Sequence, residues 1–486
     1  MKTISKPLLS VIFTLLLNSG VFAQMVSIDE ATIIAKNWIE IIKDEKGGWG
    51  VHQTARIEPL QDFEKNGRKL GYFCHVKPEG YIILSLRREL APVKAYSPKG
   101  YFDPSEESTG ADIIKTTMGM ILDTIESEFG PLENVQMNFL APFLEINYCA
   151  AWEALYNYTP GALHKGRSNL INTRNYQEGE IMLEGNNWHQ YPPYNEYCPY
   201  LACTATSNGR AFVGCVATAG SQIMYHWCWP PYGVSPYNDT YDWPNMADVV
   251  TGSSPQATIN AVAELGYEVG LCVDMDFGCD GSGATMYLME GVFEGYYRYS
   301  SISNTIWRSN YTAYDWFEAF KDQMNLNRPV EYGISGHAIV GDGWQEIGSP
   351  VVKQFHMNWG WTGTSNDAWY TLDAVPNGGF YIEHFIRDIV PTTFLGTNLS
   401  GTYAPLSIPR YFDRDASGSN ATFNSGHQLQ ILPDLTITGI GTSTYIKFFG
   451  ATGLYTNIYT KGDNSEGILI KNGGIRLINN GSIKLN

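Results

Sequence analysis

Apolar residues recur at helical spacing in several separate stretches of this chain. Between residues 28 and 43 they fall at Ala31, Ile34, Ala35, Trp38, Ile39 and Ile42, which is one face of a helix. Residues 111–129 repeat that pattern. Residues 212–229 read FVGCVATAGSQIMYHWCW, and Val216, Ala219, Ile223, Met224 and Trp227 again mark one face before Pro230 and Pro231 stop the run. Further helices are expected over 255–270, with Ile259, Val262, Ala263 and Leu265 inward, and over 285–297 and 314–325. Apolar runs bounded by glycine predict strands at 71–76, 80–86 and 330–334. After about residue 393 the charged residues thin out and Gly, Thr, Asn and Ile dominate. Short β runs at 428–432, 435–440, 444–449, 468–471, 475–477 and 482–485 follow, and turns such as Lys471-Asn472-Gly473-Gly474 separate the last ones. This pattern predicts an α+β body followed by a small all-β module, a β-helix or a sandwich.

The helical run of residues 212–229 starts at a cysteine. Cys215 follows Gly214 directly and sits in the first turn. A thiolate is the reactive form of cysteine, and the positive end of a helix favours it. Gly214 lets a substrate backbone approach the sulfur. Further on, His337 lies inside the apolar run Gly336-His337-Ala338-Ile339-Val340, ahead of the turn Gly341-Asp342-Gly343. Then comes FHMNWGWTGTSNDAWY, residues 355–370. A cysteine at a helix start, a later strand histidine and an Asn-Trp-Gly-Trp turn supply a nucleophile, a base and an orienting group. His356 is a competing base, weaker for its place in an alternating strand beside Met357. His226 lies too far down the helix of Cys215 to assist it.

These segments carry a family resemblance. GCVATAGSQIMYHW, GHAIVGDGW and FHMNWGWTGTSNDAWYTLDA resemble the signature blocks of the streptopain family of secreted bacterial cysteine proteases. So do VDMDFG at 273–278 and WHQYPPYNEYCP at 188–199. The five blocks lie in order, and together they are specific. The resemblance implies a papain-like two-lobed domain in which Cys215 attacks a peptide carbonyl and His337 moves the protons. Gln190 matches the glutamine that, with the Cys215 N–H, stabilises the oxyanion. Asn358 and Trp359 fall where the family orients the imidazole, and the role is not assigned to one of them. Trp361 shields the site. Gly214, Asp276 and Gly336 join Trp361 in the substrate cleft. A preference for a hydrophobic residue two before the scissile bond is also implied. Two departures bear on that preference: Val213 stands where many relatives have threonine, and HAIVGDG replaces a bulkier HAFVIDG pattern.

The resemblance extends to the N-terminal part. GYIILS, APVKAYS and GYFD, between residues 80 and 103, resemble the family's propeptide, which implies an inhibitory prodomain over 24–160. A polar, basic connection at 161–177, with His164, Lys165, Arg167 and Arg174, is the expected activation linker, cleaved between about residues 162 and 177. The protease domain is expected over 178–395 and the β-rich module over 396–486.

Composition narrows the partners. The 486 residues carry a formal net charge of −17, which argues against a nucleic-acid partner, since such a partner wants a basic face. Residues 1–23 read as a signal peptide: Lys2 and Lys6, an apolar stretch from Leu8 to Leu17, and Val21-Phe22-Ala23 before Gln24. No run reaches transmembrane length, so a secreted or cell-surface protein is expected. The partners expected are protein or peptide substrates, the chain's own prodomain, and a surface or glycan ligand for the C-terminal module. Eight cysteines in an exported chain allow disulfides, and Cys198–Cys203 and Cys272–Cys279 are the local pairs on offer. No metal or organic cofactor is expected, because the cysteine spacings are poor ligand frames. Two other functions use the same residues. One is an acyl transferase of transglutaminase type. The other is an adhesin or binding protein whose papain-like domain is inert.

Overall fold

The structure is a computed structural model. It describes residues 25–391 apart from 106–109, 161–175, 180, 231, 239, 362–366 and 373–382, and beyond 391 it describes strands only. The signal-peptide segment, most of the expected activation linker and the last predicted turns lie outside the described residues.

Helix Ile28–Lys46 opens the described chain. The Ser27 side chain accepts from the Glu30 N–H, and Gly47 ends the helix in a left-handed conformation. Its apolar face buries Ile34, Ala35, Trp38 and Ile42. Helix Gly110–Phe129 follows, and later come Cys215–Trp227, Gln256–Cys272 and Ala313–Asn325. The apolar periodicity of the sequence corresponds to each of these. The stretch expected as one helix over 285–297 is a 3-10 turn, Met286–Leu288, running into a short helix, Met289–Gly295.

One antiparallel sheet organises the body. Its path runs through Arg56–Ile57, Arg68–Lys77, Tyr81–Ser85, Val93–Ser97, Ala368–Thr371, Val352–Asn358, His337–Ile347, Val330–Ile334, His384–Arg387 and Asn304–Trp307. The N-terminal segment therefore shares a sheet with the segment of the signature blocks. The join pairs Trp369 with Tyr96 and Tyr370 with Ala95. Strand Tyr176–Glu178 also adds to it, pairing with the far end of His337–Ile347.

Two cores flank this sheet. One contains Trp38, Phe73, Ile83, Tyr96, Phe317, Phe355 and Phe385, so the N-terminal segment and the sheet bury a common face. The other gathers Val216, Ile223, Met224 and Trp227 of the cysteine helix with Leu265 and Val269 of Gln256–Cys272. Alternation along the strands sorts the residues between the two cores. Ala338, Val340 and Ile386 face the cysteine helix, while Tyr332, Ile339 and Phe385 face the other way.

Beyond residue 391 the described strands pair in parallel. Asn398–Tyr403 pairs with Ala416–Phe423, Gln428–Ile431 with Asn457–Thr460, and Ile446–Gly450 with Ile475–Asn479. Among the described residues no helix is long and apolar enough to cross a membrane.

Candidate active site

Helix Cys215–Trp227 begins where the sequence places it, with Cys215 as its first residue. Gly214 holds φ at +92°, a conformation that L side chains rarely adopt. A Cβ there would stand 2.5 Å from Met275 Sδ and 3.2 Å from the Ser282 carbonyl oxygen. The glycine thus lets residues 275–282 lie against the turn that presents the sulfur. Cys215 itself is half-buried.

The histidine comes from a hairpin. Strands Val330–Ile334 and His337–Ile347 pair with Ile334 opposite His337 and Gly333 opposite Ala338. Ser335 and Gly336 make the two-residue turn, with exposed Gly336 at φ +73°. The Ala338 N–H lies near the Cys215 sulfur, as do those of Val216 and Cys215 itself. The sulfur therefore meets the hairpin at the residue that follows His337. Burial pushes the Cys215 thiol up, and these three N–H groups pull it back only in part.

His337 is buried against two tryptophans. The Trp359 ring stacks on it at 5.7 Å, and the Trp361 ring lies at 5.4 Å. His337 Nε2 is 3.0 Å from the Trp359 main-chain oxygen. It is also 3.0 Å from Trp361 Nε1, whose N–H donates to it. One nitrogen cannot donate and accept at once, so these two bonds belong to different tautomers. Burial lowers the His337 pKa to about 4, against the Trp359 oxygen, which favours the charged ring. Burial thus works against charge on both the thiol and the imidazole in the intact chain.

Asn358 and Trp359 have different surroundings. Asn358 Nδ2 donates to the Asn186 carbonyl at 2.9 Å, and Asn358 Oδ1 accepts from Gln222 Nε2 at 2.9 Å and from the Gly360 N–H at 3.0 Å. These bonds fasten the strand end to the cysteine helix. The imidazole contact comes from Trp359, through a main-chain carbonyl that no side-chain pattern reveals. Gly360, at φ +65°, lies against Thr218 of the same helix.

Gln190 is buried, and its carbonyl accepts from the Val213 N–H at 3.1 Å, just ahead of Gly214. Its segment thus borders the Gly214–Cys215 turn. Asp276 is exposed and forms an isolated bridge with Gly283 in the loop behind Met275. His356 hydrogen-bonds Asp342 at 2.6 Å; burial lowers its pKa, but the Asp342 and Asp367 charges outweigh that and leave it raised. It is a buried ion-pair partner in another part of the sheet. His226 Nε2 lies 3.3 Å from the Asn327 carbonyl.

The local disulfide pairs are not formed. Cys203 is bonded to Cys279, while Cys198 and Cys272 are free thiols. The fold brings together two loops that are 76 residues apart in sequence, which spacing alone does not disclose. Sequence reasoning also missed Glu331. It is fully buried, neither carboxyl oxygen has a hydrogen-bond partner among the described residues, and burial, and then the nearness of Cys215, hold its carboxyl well above the usual range. Glu331 sits opposite Val340, on the face towards the cysteine helix.

Comparison with known proteins places these features. Residues 188–370 match the Peptidase C10 family. The chain is 32% identical over 205 residues to the thiol protease/hemagglutinin PrtT of Porphyromonas gingivalis, covering 38% of this chain and 22% of that protein. It is 28% identical over 223 residues to streptopain of Streptococcus pyogenes, covering 40% of this chain and 54% of streptopain. The chain thus spans about a fifth of one curated relative and about half of the other. Among solved structures, a prointerpain A fragment from Prevotella intermedia aligns at 22% identity with a TM-score of 0.48, over 69% of this chain and all of that one. The segment that matches the Peptidase C10 family, residues 188–370, holds the helix of Cys215, the hairpin of His337 and the Trp359–Trp361 turn, and its likeness to streptopain and to the PrtT thiol protease supports a cysteine-type peptidase.

Proposed function

We propose that this chain is a secreted cysteine endopeptidase made as a zymogen. One observation carries the reading: Cys215 packs in one cluster with Ala338, whose N–H lies near the sulfur, so the thiol and the strand of His337 meet. The cysteine helix and the sheet are the two papain-like lobes in this account. The Cys215 sulfur attacks the scissile carbonyl carbon, and an S–C bond forms. Gln190 and the Cys215 N–H hold the oxyanion. His337 takes the thiol proton at Nδ1 and gives it to the departing amine as the C–N bond breaks. Water, activated by the same ring, then hydrolyses the thioester. Productive proton transfer requires the tautomer with hydrogen on Nε2, which the Trp359 carbonyl favours. Asn358 holds the Trp359 turn in place. Gly214, Asp276, Gly336 and Trp361 border the cleft.

Residues 24–160 are the inhibitory prodomain in this reading. Support comes from the shared sheet, the Lys99–Glu184 ion pair and the hydrogen bond from Tyr148 Oη to the Leu372 carbonyl. Activation then needs cleavage in the 161–177 linker, and the C-terminal strands serve a surface or glycan ligand. The test is casein hydrolysis with and without reductant, alongside labelling by an epoxide thiol inhibitor. Reductant-dependent cleavage with the label on Cys215, and a mature N-terminus between residues 162 and 177, supports the reading. No cleavage and no selective label sinks it. Primary-amine incorporation without net hydrolysis would instead identify an acyl transferase.

A further inference from the structure

The Cys203–Cys279 bond ties together two loops that flank the nucleophile turn. Cys203 lies in the loop that leads to Gly214; its N–H donates to the Gly209 carbonyl at 3.0 Å, and the Ala211 N–H donates to the Pro199 carbonyl at 2.9 Å. Cys279 lies in a second loop, closed where Asp276 and Gly283 exchange N–H···O bonds at 2.9 and 3.1 Å. The inner ends of the two loops also meet. Ser282 Oγ donates to the Phe212 carbonyl at 2.7 Å and accepts from the Gly278 N–H at 3.1 Å. Beyond them, Met275 lies against Gly214, so the place of the second loop fixes the wall beside Cys215.

We propose that this disulfide is a positioning element of the substrate cleft and that reductant can undo it. The inference rests on the peptidase reading above. Cys203 is buried and Cys279 is half-buried, so an external thiolate reaches the Cys279 sulfur first. Attack forms a mixed disulfide at Cys279 and releases Cys203 as a thiolate, which takes up a proton. A second thiol displaces the first, leaving a Cys279 thiol and an external disulfide. Two electrons enter and two protons are bound. The loops keep their hydrogen bonds but lose the covalent tie, and the Met275 wall loosens. Reductant then acts twice. A mild dose keeps Cys215 a free thiol, and a stronger dose weakens substrate binding beside it.

The test compares the protein processed in the 161–177 linker with its equally processed Cys203→Ser/Cys279→Ser variant, after mild reduction and after strong reduction, with the redox state of both cysteines read by mass spectrometry. Two rates are followed at Cys215: alkylation by iodoacetamide and labelling by a peptidyl epoxide that must occupy the cleft. Peptide KM and kcat are measured in parallel. Opening the bond is expected to raise KM and to slow the epoxide by about fivefold or more, with kcat and the iodoacetamide rate within about twofold. The variant should start in the opened state and ignore further reductant. Should the variant fail to fold, the strongly reduced wild-type chain gives the same readout. An unchanged epoxide-to-iodoacetamide ratio on verified reduction overturns the proposal. If the ratio shifts but no peptide is hydrolysed, the wall stands and the peptidase reading falls.

Discussion

His337 Nε2 stands 3.0 Å from the Trp359 carbonyl oxygen and 3.0 Å from Trp361 Nε1. The oxygen selects the ring with hydrogen on Nε2, and the indole selects the ring without it. Trp361→Phe removes only the second preference while keeping an aromatic ring over the site. The variant should move His337 towards the Nε2–H tautomer, read from imidazole ¹⁵N shifts. Unchanged shifts would mean that the indole N–H does not compete.

The resting protonation state predicts a pH profile. Burial raises the Cys215 thiol above its usual range and lowers His337 to about 4. In the intact chain the thiolate should therefore appear only as pH rises past the ordinary thiol range. Iodoacetamide alkylation of uncleaved Cys215 is expected to climb steadily on the alkaline side. A rate plateau already present at pH 5–6 would show a preformed thiolate–imidazolium pair.

Glu331 predicts a stability slope. Its folded pKa is raised, so above the unfolded carboxyl value, about 4.3, the folded state binds the proton more tightly. Stability from this group is complete below that value and is lost as pH rises towards the folded pKa. Glu331→Gln should flatten that slope, because the amide has no proton to lose, and the variant should lose less stability than the parent between pH 5 and pH 8. Denaturant titrations at pH 5 and pH 8 measure it. A variant that loses stability at pH 8 would show that the carboxyl has a partner.

His356 and His337 should separate cleanly. His356→Leu leaves Asp342 buried without its partner and should cost about 3 kcal/mol or more. It should leave the alkylation rate of Cys215 within about twofold in the folded variant. A collapse of that rate would make His356 part of the machinery.

The elements around the site were largely legible in the sequence. Apolar spacing marks the helix that starts at Cys215, and glycine marks both its cap and the hairpin turn before His337. What was not legible depends on atoms or contacts without a local signature. Trp359 contacts the imidazole through a main-chain oxygen. Cys203 finds Cys279 across the fold. Glu331, next to the aromatic Tyr332, reads as the outward face of a strand, yet both faces of that strand are covered, one by the cysteine helix. The sheet shared by the N-terminal segment and the signature blocks rests on the pairing of Tyr96 with Trp369, which no periodicity encodes.

The most direct measurement is hydrolysis of casein by the processed, reduced protein and by its Cys215→Ala variant, with the fold of both checked by circular dichroism. The account predicts that the variant folds as the parent does and that turnover falls by about 10⁴-fold or more. Turnover that survives the substitution would contradict it.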